Sequence, residues 1–119
     1  DVAGLEVKEK DQDTYRKYRI LAYTTGQYRA YQNLVNQKIY DMALDSLIST
    51  IGRCEEYSSD AKELGCEGEI SDIQAKAEEA LEAFKIDTEK ALEVYDMKDR
   101  TAYSKEIYQI LDDAGLSEE

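Results

Sequence analysis

Histidine and proline are both absent from this sequence of 119 residues. Without histidine, the chain lacks the side chain used most often for acid–base chemistry near neutral pH and for binding zinc. The glycine-rich loops that bind phosphates and the G-x-S-x-G turn that presents a catalytic serine are missing as well. We therefore expect a protein that is not an enzyme, with no catalytic, cofactor-binding or metal-binding residues.

The absence of proline and the scattering of six single glycines leave long helices uninterrupted and provide no flexible linker. A chain of this length with 42% hydrophobic residues can bury one modest core. We expect a loose N-terminal arm over residues 1–10 and a single helical domain over residues 11–119. Because the sequence begins with Asp1 and not with methionine, we expect it to be a piece of a larger protein.

Acidic residues outnumber basic ones by 27 to 15, which gives a net charge of −12. A charge of this sign repels nucleic acid and anionic membrane surfaces. No run approaches the roughly 18 apolar residues that a membrane span requires. We therefore expect a protein partner, no binding to nucleic acid and no direct insertion of this segment into a membrane.

Apolar residues recur every three or four positions, which is the period of an amphipathic helix. The first helix is predicted to begin at about Asp11, with Asp11 or Asp13 as its N-cap. The second helix has the clearest apolar stripe, formed by Tyr40, Ala43, Leu44, Leu47, Ile51, Cys54, Tyr57, Ala61 and Leu64. Gly65 is placed to end that helix in the left-handed conformation, and Cys66 to pack back on its last turn.

A third apolar stripe consists of Ile70, Ile73, Ala77, Ala80, Leu81 and Phe84. Its period continues through Tyr95, but Asp87 is a good N-cap and predicts a break there. The last helix is predicted to begin near Asp99 and to end at Gly115. Because no segment alternates between apolar and polar residues, the fold class is all-α, an antiparallel helical bundle or stacked helical hairpins of four to five helices.

Cys54 and Cys66 are the two cysteines of the chain. The helical pattern separates them by about 18 Å at a rise of 1.5 Å per residue, which is too far for a disulfide. We expect both to be free thiols.

Residues 14–40 have an unusual composition, with five basic residues, no acidic residue and six of the ten tyrosines. Two interpretations remain open. In the first, the arginines pair with acidic helices of the same domain and the tyrosines lie half buried. In the second, this helix binds a protein partner, because tyrosine and arginine are enriched at the centres of protein interfaces.

The first helix is apolar on two faces, one marked by Tyr15, Tyr18, Leu21, Tyr28 and Val35, the other by Ile20, Tyr31 and Leu34. A helix of this kind needs cover on both faces. Within a monomer it would lie between the second helix and the C-terminal helices; otherwise its second face is a docking surface. The candidate partner-binding residues are Tyr31, Leu34, Arg16, Tyr23 and Arg19.

The hairpin around the start of the second helix has an aromatic residue, a small residue three positions later and a large apolar residue four positions after that. These residues are Tyr40, Ala43 and Leu47, and Leu34 supplies a large apolar residue late in the first helix. In this respect the hairpin resembles a tetratricopeptide repeat over about 34 residues. Gln27 and Tyr31 depart from the family pattern. The resemblance implies a concave helical surface that binds peptides or partner helices and catalyses no reaction.

The stretches AKELGCEGEI, over residues 61–70, and ALEAFKIDTEKALEVYDMKDRTAYSKEIYQIL, over residues 80–111, are similar to helical ectodomains of membrane-anchored proteins from Gram-positive bacteria. This resemblance implies a location on the extracytoplasmic side of a bacterial membrane. Two functions are therefore expected. The first is a non-catalytic interaction or scaffolding module, and the alternative is a structural domain of an anchored ectodomain that self-associates, for example as a homodimer, or acts as a spacer.

Overall fold

Five α-helices and one 3₁₀ turn make up the computed structural model, which describes the backbone of residues 2–117 and the side chains of residues 12–117. The helices are α1 (Val2–Asn36), α2 (Tyr40–Glu63), α3 (Glu67–Ala80), α4 (Thr88–Tyr95) and α5 (Arg100–Asp113). The 3₁₀ turn, Leu81–Phe84, directly follows α3. The described backbone contains no strand, so the all-α fold class predicted from the sequence is confirmed.

The start of α1 differs from the sequence prediction. The helix begins at Val2, nine residues before the predicted start near Asp11, so that residues 2–10 are helical where we expected a loose arm. Six of these nine residues are alanine, leucine, glutamate or lysine, which extend an existing helix at little cost. The side chain of Asp11, a candidate N-cap, lies outside the described side chains. Asp13 lies inside the helix and pairs with Arg16 at 3.6 Å.

Three helices end in a backbone turn with a left-handed residue. Gly65 has a φ of 76° after α2, and the Cys66 N–H donates a hydrogen bond to the Ala61 carbonyl at 2.8 Å. Gly115 ends α5 in the same way with a φ of 75°. Both turns confirm the sequence prediction. Lys38 takes this position after α1 with a φ of 62°, where glycine would be less strained.

Two aspartates fix where the C-terminal helices begin. The Asp87 carboxylate accepts a hydrogen bond from the Lys90 N–H at 2.8 Å at the start of α4. The Asp99 carboxylate accepts one from the Thr101 N–H at 2.9 Å at the start of α5. Each carboxylate satisfies a backbone donor that has no partner within the helix. The predicted break at Asp87 and the predicted start at Asp99 are confirmed.

The helix α2 lies at the centre of the fold and contacts α1, α3, α4 and α5. Six of the nine residues of its predicted apolar stripe are buried, and Tyr40, Tyr57 and Leu64 are partly buried. Burial also extends around the helix to Ile48, Thr50 and Gly52. The Thr50 hydroxyl is satisfied because it donates to the Ser46 carbonyl at 2.8 Å. Neighbours on several sides explain why α2 buries a wider surface than one stripe.

Two hydrophobic cores lie along α2. The larger core joins α2, the end of α3, α4 and α5, and includes Leu44, Leu47, Ile48, Ile51, Phe84, Val94, Ile107, Ile110 and Leu111. The smaller core joins α1, α2 and the start of α3, and consists of Ile20, Cys54, Ala61, Cys66 and Ile70. The molecule is elongated, with dimensions of 64 × 28 × 19 Å. Its length reflects α1, since 35 helical residues span about 52 Å.

Both cysteines belong to the smaller core and are free, as predicted. Burial, together with the nearby carboxylates of Glu78 and Glu55, raises the pKa of the Cys54 thiol to about 12. A thiol that keeps its proton at neutral pH is a poor nucleophile. Cys54 therefore contributes packing to the smaller core.

The helix α1 is covered on one of its two apolar faces. It packs against α2 and α3, burying Ile20 and Thr24, and Tyr31 lies half buried against Phe84 of the 3₁₀ turn. The opposite face carries Tyr15 and Tyr18, whose exposed fractions are 62% and 69%. Of the two arrangements that the sequence left open, packing of both faces within the monomer therefore does not hold for the first half of α1. The exposed face is the one marked by Tyr15 and Tyr18, not the one marked by Tyr31 and Leu34.

Candidate functional site

A groove of about 540 Å³ follows the uncovered face of α1, and α2 forms its other wall. The residues that line it are Tyr15, Arg16, Tyr18, Arg19, Ile20, Ala22, Tyr23, Tyr57 and Asp60. We call this surface the tyrosine groove. Three further cavities among the described residues have smaller volumes, of about 460, 160 and 150 Å³.

Helical periodicity explains why these side chains meet. Positions 15, 18, 19, 22 and 23 follow the spacing i, i+3, i+4, i+7 and i+8, which places them on one stripe of a helix. Ile20 and Thr24 lie on the covered side, with exposed fractions of 5% and 0%. The same turns of α1 therefore anchor the helix on α2 and present a row of tyrosine and arginine to solvent.

The two arginines of the groove have different surroundings. Arg16 lies between two carboxylates, at 3.6 Å from Asp13 and 3.7 Å from Asp60. The Arg19 guanidinium lies 5.9 Å from the centre of the Tyr15 ring, which is within the range of a cation–π contact. No described carboxylate lies within ion-pair distance of Arg19. Arg19 is therefore the arginine of the groove that can pair with an incoming carboxylate.

The first interpretation of residues 14–40 requires ion pairs between the basic residues of α1 and the acidic helices, and the structure shows one such pair among the described side chains. The Arg16–Asp60 pair is the only ion pair between described side chains that joins α1 to another helix. Both of its side chains are close to half exposed, so its contribution to stability is small. The interpretation that the basic residues of α1 mainly neutralise acidic helices of the same domain therefore accounts for Arg16 alone.

Tyr23 closes one end of the groove and is held in place by contacts with α2. The Arg53 guanidinium lies 5.2 Å from the centre of the Tyr23 ring, and the Tyr57 ring meets it edge-on at 6.3 Å. Arg53 also pairs with Glu56 at 3.1 Å. Such contacts restrict the ring before any partner arrives, which lowers the entropy that binding must remove.

The contacts of Arg53 continue to α4 through Glu56, which accepts a hydrogen bond from the Tyr95 hydroxyl at 2.9 Å. Burial is the main reason that the pKa of Tyr95 is raised to about 12, and the hydrogen bond to Glu56 is the second. The pKa of Tyr103 on α5 is raised for the same two reasons, because the side chain is partly buried and its hydroxyl donates a hydrogen bond to the Asp45 carboxylate.

The raised pKa of Tyr95 predicts a loss of stability in alkali. An unfolded tyrosine has a pKa of 10.0 and the folded Tyr95 one of about 12, so between these values the folded chain binds more protons than the unfolded chain. The contribution of Tyr95 to the free energy of unfolding is fully present below pH 10 and is lost as the pH rises through 12. Because the pKa of Tyr103 is raised as well, the variants are compared in a Tyr103→Phe background. In a rapid-mixing titration of tyrosinate absorbance, we expect an ionisation near pH 12 that Tyr95→Phe removes. Tyr108→Phe, at a position 59% exposed, should keep that ionisation, and a Tyr95→Phe curve that also keeps it would contradict the assignment.

Three of the five predicted partner-binding residues, Arg16, Arg19 and Tyr23, lie together in the tyrosine groove. The other two, Tyr31 and Leu34, are half buried further along α1. Tyr31 packs against the Phe84 ring at 6.4 Å, and burial raises the pKa of its hydroxyl. Its position agrees with the interpretation that this face is internal.

Sequence reasoning missed three tyrosines of the groove, namely Tyr15, Tyr18 and Tyr57. The i, i+3, i+4 spacing of Tyr15, Tyr18 and Arg19 was a usable signal, because it puts two aromatic rings and a cation side by side. Tyr57 gave no such signal, since it belongs to the apolar stripe of α2 and reaches the groove from its edge.

Comparison of this chain with protein-family models, with curated proteins and with solved structures finds no match. The chemistry of the tyrosine groove therefore has to be judged from its own residues. Among the described residues, no group of three carboxylate or thiol side chains is arranged to hold a metal ion. A search of the same residues finds no helix with the length and apolar character of a membrane span.

Proposed function

We propose that this chain is a non-catalytic protein–protein interaction module that contacts its partner through the tyrosine groove. The observation that carries the proposal is the exposure of Tyr15 and Tyr18, at 62% and 69%, beside Arg19. Tyrosine and arginine are enriched among the residues that contribute most to binding energy in protein interfaces. A rigid aromatic ring such as Tyr23 adds contact area at a low entropic cost.

Charge supports an acidic partner. Residues 14–40 carry a net charge of +5, and the rest of the chain is strongly acidic. A partner that places a carboxylate near Arg19 and an apolar side chain between the tyrosine rings would satisfy both features of the groove. Nucleic acid is a less favourable partner, because the net charge of −12 repels its phosphates.

The resemblance of the α1–α2 hairpin to a tetratricopeptide repeat supports the same class of function. Proteins of that family bind peptides or helices on a concave helical surface. The tyrosine groove has walls from the same two helices, α1 and α2, although its residues lie outside the stretch that carries the resemblance. We therefore propose a short peptide segment or a helix as the form in which the partner enters the groove.

Selection from a random peptide library displayed on phage tests this proposal. We expect the protein to enrich peptides that combine aspartate or glutamate with a large apolar residue. Tyr18→Ala with Arg19→Ala should weaken their binding at least about tenfold, which corresponds to roughly 1.4 kcal/mol. The matched control is Tyr108→Ala with Lys105→Ala on α5, which should bind as the wild type does. Peptides that bind the groove variant and the wild type equally would refute the proposal.

A permanent, self-associating spacer in a membrane-anchored ectodomain is a second candidate, favoured by the length of the molecule, 64 Å along its longest axis. Such a spacer would remain oligomeric on dilution, whereas an interaction module would be monomeric. Light scattering over a dilution series into the low micromolar range separates the two. A monomer at the lowest concentration would exclude the permanent oligomer.

A further inference from the structure

A second exposed apolar surface lies between the start of α2 and α5. It carries Met42 and Tyr108, whose exposed fractions are 57% and 59%. Two small cavities of about 160 and 150 Å³ adjoin it, and both are lined by Asp41 and Tyr108. Together with Tyr15, Tyr18 and Tyr23, these two side chains complete the set of large apolar side chains that are exposed among the described residues. We call this second surface the Met42–Tyr108 patch.

The Met42–Tyr108 patch has carboxylates where the tyrosine groove has arginines. Asp41 and Asp45 line the first of its cavities, together with one cation, Arg100. The Arg100 guanidinium lies 5.6 Å from the centre of the Tyr103 ring. Asp45 accepts a hydrogen bond from the Tyr103 hydroxyl, which fixes its position and leaves its second oxygen available. The patch is therefore an apolar surface with preorganised carboxylates.

The two surfaces lie at opposite ends of α2. Asp60 borders the tyrosine groove and Asp41 borders the Met42–Tyr108 patch. Their separation of nineteen positions corresponds to about 28 Å along the helix. The surfaces therefore cannot meet within one molecule, although their chemistry is complementary.

We propose that the partner of the tyrosine groove is the Met42–Tyr108 patch of a second copy of this chain, so that copies associate head to tail. The inference rests on the proposed function and names its partner. Arg19 meets the carboxylates of Asp41 and Asp45, and the Met42 side chain enters between the tyrosine rings. Contacts between methionine sulfur and aromatic rings are favourable.

Charge disfavours the simplest symmetric alternative. In a two-fold dimer both copies use the same surface. Arg16 is already paired with Asp13 and Asp60, so the unpaired charge that a groove-to-groove contact brings together is the cation of Arg19 from each copy. Like charges placed together in an interface oppose association. A patch-to-patch contact would likewise bring together two surfaces that each have two carboxylates and one cation, Arg100. The head-to-tail contact pairs the unpaired arginine of one copy with the excess carboxylates of the other.

Head-to-tail association leaves one groove and one patch unoccupied at the two ends of every open assembly, so further copies can add until the chain stops or closes into a ring. We expect the contact to be weak, because each surface offers only two or three exposed large apolar side chains. A stable interface covers about 800 Å² on each partner, which is a tenth of the 7937 Å² surface of this molecule. Repulsion between copies of charge −12 also opposes it, although salt at physiological concentration screens charges beyond about 8 Å. We expect association at protein concentrations on the order of 100 µM and monomers at low micromolar concentration.

Sedimentation equilibrium with two variants tests the contact. The groove variant, Tyr18→Ala with Arg19→Glu, keeps the patch; the patch variant, Met42→Lys with Tyr108→Ala, keeps the groove. We expect the average mass of the wild type to rise with concentration and each variant alone to remain monomeric. An equimolar mixture of the two variants should form a species of twice the monomer mass and nothing larger, because each chain then has one competent surface. Circular dichroism and thermal midpoints equal to those of the wild type establish that both variants are folded.

Several outcomes would overturn the inference. A wild type that stays monomeric at 500 µM, on the order of five times the expected concentration, has no such contact. Self-association in the patch variant but not in the groove variant would assign a symmetric groove-to-groove dimer. A mixture that fails to form the dimer would exclude pairing of the two surfaces. If these results occur while the groove still binds acidic peptides, the proposed function stands and its partner is a different protein.

Discussion

Replacing Gly52 with alanine is expected to lower the free energy of unfolding by roughly 2–3 kcal/mol, although alanine favours helices more than glycine does. Gly52 lies within α2 and is buried. A Cβ atom at this position would overlap the ring of Tyr95, which lies against the backbone of α2. Because Tyr95 is also held by its hydrogen bond to Glu56, the ring cannot move aside without losing that contact.

Urea denaturation measures the effect of Gly52→Ala, and Gly26→Ala is its matched control. Gly26 lies inside α1, and an added Cβ there would have no neighbour within 4 Å. The control should raise the free energy of unfolding by about 0.5–1 kcal/mol through helix propensity alone. In a Tyr95→Ala background, Gly52→Ala should cause little further loss of unfolding free energy, because the ring that the added Cβ would overlap is then absent. Equal effects of alanine at positions 52 and 26 would contradict the contact with Tyr95.

Replacing Tyr31 with alanine is expected to lower the free energy of unfolding by about 2 kcal/mol, less than the 3–5 kcal/mol of a fully buried aromatic residue. Tyr31 is half buried and packs against Phe84 and Tyr28, with ring centres at 6.4 and 5.8 Å. The same substitution at Tyr18, which is 69% exposed, should change stability by less than about 0.5 kcal/mol. Thermal unfolding of the two variants distinguishes the covered face of α1 from the open one. A Tyr31→Ala variant as stable as Tyr18→Ala would mean that both faces are open.

Features of the fold that depend on neighbouring residues in the chain were predictable from the sequence. The carboxylates of Asp87 and Asp99 cap helices by bonding to N–H groups two or three residues away. Gly65 and Gly115 end helices because the required φ is strained for other residues. These signals are local, so no knowledge of the tertiary arrangement was needed to recognise them.

Features that depend on distant contacts were not predictable in this way. The spacing of apolar residues shows that α1 has two apolar faces, but only the position of α2 and α3 decides which face is covered. This explains why the five candidate partner-binding residues combine Arg16, Arg19 and Tyr23, which are exposed, with Tyr31 and Leu34, which are half buried. Gly52 looked like an isolated helical glycine, and its role depends on Tyr95, 43 positions later in the chain.

The division of the interior into two cores gives the molecule two regions of unequal local stability. The tyrosine groove is built on the smaller core, whose buried members are Ile20, Cys54, Ala61, Cys66 and Ile70. With few buried side chains to separate, this end can open while the larger core remains folded. A partner that binds only the closed groove draws the opening equilibrium toward the closed form. Its apparent association constant is the intrinsic constant multiplied by the fraction of molecules that are closed. Amide hydrogens around Cys54 would therefore exchange more slowly in the complex, although no partner atom reaches them. Substitutions in the smaller core would change the affinity of the groove by changing the fraction of molecules that are closed.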